Sequence, residues 1–252
     1  MKTQLKSFGT SVSQICRAAV PLAWLGAATV AFAADKPLVE LTGRDLSGWR
    51  EPTGEWAVAK AVALDPADPT KFILTPGEGI IFNGPKFKTV DLITEAEFGD
   101  AEIHVGFCVS KHSNSGVYLM GRYELQVYDS FGVEQDKYPG IECGGIYPRW
   151  INEKNVEGHS PRVNASKPPG KWQTFDITFR APRFDGSGKK IANARFVKVL
   201  HNGKLIHENV ELNGVTRGAI SEDEKATGPL RLQGDHGPVA YRNLRVKPLA
   251  LK

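Results

Sequence analysis

Asn114-Ser-Gly-Val-Tyr-Leu-Met-Gly-Arg-Tyr-Glu-Leu-Gln-Val-Tyr-Asp129 reads as two strands with polar side chains gathered on one face. From 123 to 128, Tyr123, Leu125 and Val127 alternate with Glu124, Gln126 and Tyr128. A period of two sends one set into a core and the other outward. An acid, an amide and a phenol are thus presented together. Asp129 follows five residues after Glu124, and a bulge in the strand would return this second carboxylate to the face of the first. Two carboxyls on one sheet face point to sugar chemistry; the plainer reading is a surface strand with solvated polar residues.

The same patterning recurs outward from this stretch. Residues 38–42, 55–64, 71–74, 79–82, 95–110, 116–120 and 122–129 read as strands, as do 144–147, 172–180, 194–200, 204–210, 229–232 and 239–246. Clusters of Gly, Pro, Asn and Asp separate them, and helical periodicity beyond about ten residues is absent. Short strands without intervening helices predict an all-β fold, a two-sheet antiparallel β-sandwich. His201-Asn-Gly-Lys204 is a hairpin signal, since Asn-Gly takes the positive φ angles of a type I′ turn. Phe175, Ile177 and Phe179 share one face of their strand, and Ala101, Ile103, Val105, Phe107 and Val109 share one of theirs. Opposite the latter lie Glu102, His104 and Cys108. His104 is read as a satisfied edge histidine, the alternative being that it lines the open face of Glu124.

Composition narrows the function. Lys2, Lys6 and Arg17, an apolar run from Ala18 to Val30 and then Ala31-Phe-Ala33 have the layout of a secretory signal peptide, so residues 1–33 are set apart from the fold. The run is shorter than the roughly 20 residues of a membrane span, and the expectation is an exported protein, periplasmic or secreted. About 219 residues remain, enough for one all-β domain over 36–250. A formal charge of +4 over 252 residues gives no argument for nucleic-acid binding. A small carbohydrate ligand fits better. Outside the leader the cysteines are Cys108 and Cys143, either one bridge or two buried thiols, and their apolar surroundings favour the thiols. The six histidines are scattered without Cys-x-x-Cys or His-x-x-x-His spacing, so no metal is assigned. Residues 130–167 are long and poor in regular structure and hold Trp150, which suggests a binding loop over Glu124. The excursion 183–193 reads as a solvated hairpin.

Six ordered motifs then carry a resemblance. They are Thr42-Gly-Arg-Asp-Leu-Ser-Gly-Trp49, Asn114-Ser-Gly-Val-Tyr118, Tyr123-Glu-Leu-Gln-Val-Tyr-Asp129, Gly145-Ile-Tyr147, Pro168-Pro-Gly-Lys-Trp172 and Tyr241-Arg-Asn-Leu-Arg-Val-Lys-Pro248. Together they resemble the 3-keto-disaccharide hydrolase domain family, over about residues 36–250. The resemblance implies a concanavalin A-like lectin/glucanase jelly roll and action on glycosides whose sugar C3 is a ketone. Glu124, Gln126 and Asp129 are also similar to the Glu-x-Asp-x-x-Glu strand of glycoside hydrolase family 16, from which this chain departs at two of the three positions. Gln126 cannot ionise and Asp129 is shorter than glutamate, which argues against a retaining double displacement with carboxyls about 5–5.5 Å apart. A 3-keto sugar relaxes the requirement, because the ketone acidifies the C2 proton and a base can expel the C1 substituent by elimination, with water added afterwards.

On that reading Glu124 is the general base or acid and Asp129 the second carboxyl or an orienting group. Tyr118 and Gln126 place hydroxyls, and Arg122, Arg149 and His236 are candidates to face a developing enolate. Gln233 shares a strand face with Arg231, and Trp150 is placed to stack on a sugar ring. A calcium ion is compatible with this fold, although no Asp-x-Asp-x-Asp-Gly loop supports one, and no cofactor is assigned. The rival reading is a non-catalytic, lectin-like carbohydrate-binding module. A sugar 3-dehydrogenase is the natural metabolic partner, since this chain lacks a Gly-x-Gly-x-x-Gly fingerprint.

Overall fold

The computed structural model describes residues 37–138 and 140–251, with residues 1, 3 and 9; the expected signal peptide otherwise lies outside the described residues. In chain order the strands are β1 (Val39–Glu40), β2 (Ala57–Leu64), β3 (Phe72–Phe82), β4 (Leu92–Phe98), β5 (Ala101–Val109), β6 (Asn114–Leu119), β7 (Tyr123–Tyr128) and β8 (Arg149–Ile151). They continue with β9 (Lys154–Val156), β10 (Gln173–Arg180), β11 (Arg183–Phe184), β12 (Lys190–Ala192), β13 (Ala194–His201), β14 (Lys204–Leu212), β15 (Gly228–Leu232) and β16 (Val239–Pro248). The large sheet runs β14-β13-β10-β5-β16-β3-β2, with β1 also on β16, and the small sheet runs β4-β15-β6-β7. All these pairings are antiparallel. Single bridges from Trp49 to Thr94 and from Leu125 through Ile146 to His159 widen the small sheet on both edges.

Alternation explains how the two layers meet. The inward residues of β5 (Ile103, Val105, Phe107) and β10 (Phe175, Ile177, Phe179) share one buried core with Val117 and Leu119 of β6 and Tyr123, Leu125 and Val127 of β7. Each such side chain, fully buried, stabilises by about 1.5–3 kcal/mol, so the core holds the small sheet's strands in register. The Tyr123 and Phe179 rings pack across the layers at 5.4 Å. Tyr241 of the large sheet reaches Ser115 of β6 with its hydroxyl at 2.7 Å, which satisfies the polar end of a fully buried ring.

Several expected elements change shape. The segments 71–74 and 79–82 are one strand, β3, continuous past a register shift against β2 at Ala59/Ala61. Gly77 lies there, where an added Cβ would stand 2.7 Å from Lys60 Cβ, so a glycine that looks like a break is a close approach. Conversely, 95–110 splits into β4 and β5, which belong to different sheets. The Asn202-Gly203 turn forms with both φ angles positive, 50° and 78°, and 183–192 forms the expected hairpin. His104 belongs to the outer face of the large sheet, paired with Asp176 at 2.6 Å beside an open groove of about 370 Å³. It does not share Glu124's face, because β5 and β7 lie in opposite layers. Cys108 and Cys143 are buried free thiols in separate apolar clusters, and burial pushes both up to about 12. Among the described residues no helix is long and apolar enough to cross a membrane.

Two histidines are buried in this framework. His201 donates from Nε2 to Gln173 Oε1 at 2.9 Å, and His207 from Nε2 to the Gly144 carbonyl at 2.6 Å. Burial first, with Lys167 and Lys204 nearby, lowers His201 to about 3. Burial lowers His207 to about 4 against the opposing pull of the Gly144 hydrogen bond. Between these values and the ordinary 6.5 the unfolded chain binds more protons, so stability falls as pH drops below about 6.5. The contribution of these two groups makes Tm decline between pH 6.5 and 4, each kcal/mol lost lowering Tm by about 2–4 °C in a chain of this size. His201→Gln and His207→Gln should each flatten that decline; an unchanged slope in both would contradict the assignment.

Candidate active site

The turn between β6 and β7 determines what the site contains. Met120 and Gly121 both take positive φ, 54° and 64°, and Arg122 N–H donates to the Leu119 carbonyl at 3.0 Å. Residues 120–122 connect the strands and set Tyr118 opposite Glu124, Gly116 opposite Gln126 and Asn114 opposite Tyr128, with no register shift. The core holds Leu125 and Val127, so Glu124 and Gln126 face away from it, over the outer side of the small sheet. An added Cβ at Gly116 would stand 2.2 Å from Glu124 Oε1 and 2.9 Å from Tyr118 Cε2. The carboxyl therefore lies across the neighbouring strand in space that only glycine leaves open.

A segment distant in sequence closes one wall. Thr216 N–H donates to the Arg122 carbonyl at 2.9 Å, and Thr216 Oγ1 accepts from Glu124 N–H at 3.0 Å. Arg217 N–H donates to the Pro148 carbonyl and Ile220 N–H to that of Gly121, each at 2.9 Å. The loop after β14 is thus stitched to the β6–β7 hairpin and to the segment following Ile146. The result is a polar pocket of about 270 Å³. Tyr118, Glu124 and Gln126 of the hairpin line it with Asn114 and Gln233, and Tyr147, Arg217, Gly218 and His236 complete the lining.

Glu124 is only 2% exposed. Burial dominates its ionisation and pushes the carboxyl up to about 8; hydrogen bonding with Tyr118 and the Arg231 charge pull it down, and Asp91 pushes it up. Burial, with the Glu124 charge, also drives the Tyr118 phenol well above the ordinary range. The Arg231 guanidinium stacks on the Tyr118 ring at 3.7 Å, donates from Nη2 to the Gly218 carbonyl at 2.7 Å and has Asp91 at 3.4 Å from its Nε. Asp91 in turn accepts Gly234 N–H at 3.0 Å. Gln126 donates to Asn114 Oδ1 at 3.2 Å, while its buried Oε1 has no partner among the described residues. A carboxyl near neutrality, a phenol and unspent amide groups suit proton transfer on a polyhydroxylated ligand.

Of the residues expected from sequence, Tyr118, Glu124, Gln126, Gln233 and His236 come together in this pocket. Asp129 stands apart from it. β7 ends at Tyr128 without a bulge, and Asp129 Oδ2 accepts His112 N–H at 2.9 Å in the β5–β6 turn, where His112 has a φ of 61°. Arg122 is also absent from the pocket, since its guanidinium donates to the Asp223 and Met120 carbonyls at 2.6 and 2.9 Å and closes the hairpin turn. Arg149 faces Glu157 at 3.4 Å and packs against Gly214. Trp150 lies on β8, part of a short hairpin with β9 rather than an irregular roof, and its ring carries the Arg217 guanidinium at 3.9 Å. Sequence reasoning missed Arg217, Tyr147 and Asp91. Tyr147 stood inside a recognised motif, whereas Arg217 and Asp91 gave no local signal. Among the described residues no group of three His, Cys, Asp or Glu is placed to hold a metal ion.

A buried acid under a polar, amide-rich pocket on one face of an antiparallel β-sandwich suits a carbohydrate ligand. A family model described as the 3-keto-alpha-glucoside-1,2-lyase-like domain matches residues 36–247, and the chain belongs to that family. Among solved structures it is similar to a Parabacteroides distasonis ATCC 8503 protein provisionally named a glycosyl hydrolase, at 26% identity, 84% of each chain and a TM-score of 0.58. A second protein of that organism with the same provisional name matches at 17% identity over 85% of this chain and all of that one, with a TM-score of 0.56; that likeness is of fold alone. No curated protein matches the chain.

Two outcomes test the site's construction. Gly116→Ala should displace the Glu124 carboxyl and lower turnover of the substrate proposed below by about 10²-fold, the scale of an ångström's misplacement, with the fold retained by circular dichroism. Because Glu124 at about 8 exceeds its ordinary 4.5, the folded state holds the extra proton between those values, and stability falls as pH rises through that window. Glu124→Gln, which cannot ionise, should therefore raise Tm, by more at pH 9 than at pH 5; a pH-independent difference would contradict the burial argument.

Proposed function

We propose that the protein cleaves 3-keto-glycosides by elimination across C1 and C2, with Glu124 moving the proton. The observation that carries this reading is a carboxyl buried beneath the pocket, held near neutrality by desolvation and shared with a phenol on the adjacent strand. Desolvation raises a carboxylate's basicity, and a base poised near the operating pH is the more effective for it. Ionised Glu124 takes the C2 proton, and the C2–H electron pair forms the enolate conjugated with the C3 oxygen. Re-formation of the ketone drives the pair into a C1–C2 double bond and breaks the C1–O bond. The departing oxygen receives the proton back from the same carboxyl, directly or through the Tyr118 hydroxyl, which gives up one proton as it takes the other. No oxidant enters, and water added at C1 afterwards yields the free 3-keto sugar. Gln126, Asn114 and Gln233 supply the amide groups that hold ring hydroxyls. One carboxyl is enough for this chemistry, which agrees with the distance of Asp129 from the pocket. The leader-like pattern of residues 1–33 supports the proposal that the reaction belongs to an exported compartment, downstream of a sugar 3-dehydrogenase.

A lectin-like module would gain nothing from burying its acceptor carboxyl, since an exposed, fully ionised one binds hydroxyls at less cost. The test is incubation with a 3-keto-disaccharide and with its unoxidised parent, products followed by mass spectrometry. Only the keto sugar should be cleaved, kcat/KM should rise with pH toward about 8, and Glu124→Gln should lose at least about 10³-fold. Equal turnover of the parent, or binding of both sugars without turnover of either, would overturn the proposal.

A further inference from the structure

Among the described residues Arg217 is the one Lys or Arg that lines the pocket. Among the described residues its side chain has no ion pair and no hydrogen bond; its guanidinium stacks on the face of Trp150, 3.9 Å away, and its backbone is pinned by the hydrogen bond to Pro148. Stacking fixes the plane of a guanidinium while leaving its in-plane N–H donors unspent. The neighbouring cations are committed otherwise: Arg231 to Gly218 and Asp91, Arg122 to the hairpin turn and Arg149 to Glu157. Arg217 is also within electrostatic reach of Tyr147, whose phenol responds to Glu124 as well, so acid and cation act on the same phenol. An unneutralised guanidinium held by an aromatic plate, in the lining of the pocket that Glu124 also lines, is arranged to meet negative charge that is absent from the resting site.

We propose that Arg217 is a catalytic residue that donates to the C3 oxygen as the enolate forms, and that Trp150 is its positioning residue rather than a sugar platform. This rests on the elimination reading above. Loss of the C2 proton leaves one negative charge shared between C2 and the C3 oxygen, and donation to that oxygen lowers the barrier without forming or breaking a bond to Arg217.

The test uses a 3-keto sugar with hydrogen in place of the C1 substituent, which can exchange its C2 proton but has nothing to expel. In D2O the wild-type protein should incorporate deuterium at C2, followed by NMR. Arg217→Met should slow exchange by about 10²-fold or more, while calorimetric affinity for the same sugar changes much less. Arg217→Ala should regain exchange on addition of free guanidinium. Trp150→Phe should keep most of the rate, and Trp150→Ala should approach Arg217→Met. Wild-type exchange that persists in Arg217→Met, or a loss of affinity as large as the loss of exchange, would overturn this assignment alone. Absence of exchange in the wild type would overturn it together with the elimination reading.

Discussion

The Glu124 carboxyl lies over the backbone of β6, in the space that any side chain at Gly116 would fill, and water has been removed from it there. Taking a carboxylate out of water costs several kcal/mol after relaxation, far more than the roughly 0–1 kcal/mol an exposed ion pair returns. Arg231 sits behind Tyr118 and is itself shared with Asp91, so its charge offsets only part of that cost. The carboxyl consequently keeps its proton to about 8. The remainder of the pocket follows from this: a phenol beside the acid, amides around it and a cation in the same lining.

Such a group can be tolerated because the strand carrying it is anchored on its other face. Leu125 and Val127 are fully buried in the interlayer core, and the Tyr123 ring packs against Phe179. A one-residue slip of β7 would exchange Glu124 and Gln126 for these apolar side chains, which is why the three-residue connection over 120–122 has functional weight. Arg122 and Thr216 hold that turn and the strand after it. The side chains that secure the hairpin and those that would do chemistry are neighbours in sequence but point to different tasks.

This division explains how much was legible in the sequence. The all-β class, the outward face of β7 and the gathering of Tyr118, Glu124 and Gln126 follow from period-two alternation, which is local. Gln233 and His236 were read from the strand and turn that bring β15 to the site. Asp129 was placed by a bulge that β7 does not make, and its carboxylate serves a left-handed turn residue instead. Arg122 and Arg149 carry the right charge, yet backbone carbonyls and Glu157 claim them. Arg217 and Asp91 reach the site through contacts spanning on the order of a hundred residues, and no local pattern encodes such docking. Trp150 shows both sides: the residue type was informative, but the partner on its ring is a guanidinium supplied by that distant loop.

The claim on which the account turns is that Glu124 carries a proton in the resting site at neutral pH. It is tested most directly by titrating the glutamate side-chain carboxyl carbons by NMR in protein labelled at that position, with Glu124→Gln to assign the resonance. One carboxyl should stay protonated past the ordinary glutamate range, titrate near 8 and be missing from the variant. A Glu124 resonance that titrates with the exposed glutamates would contradict it.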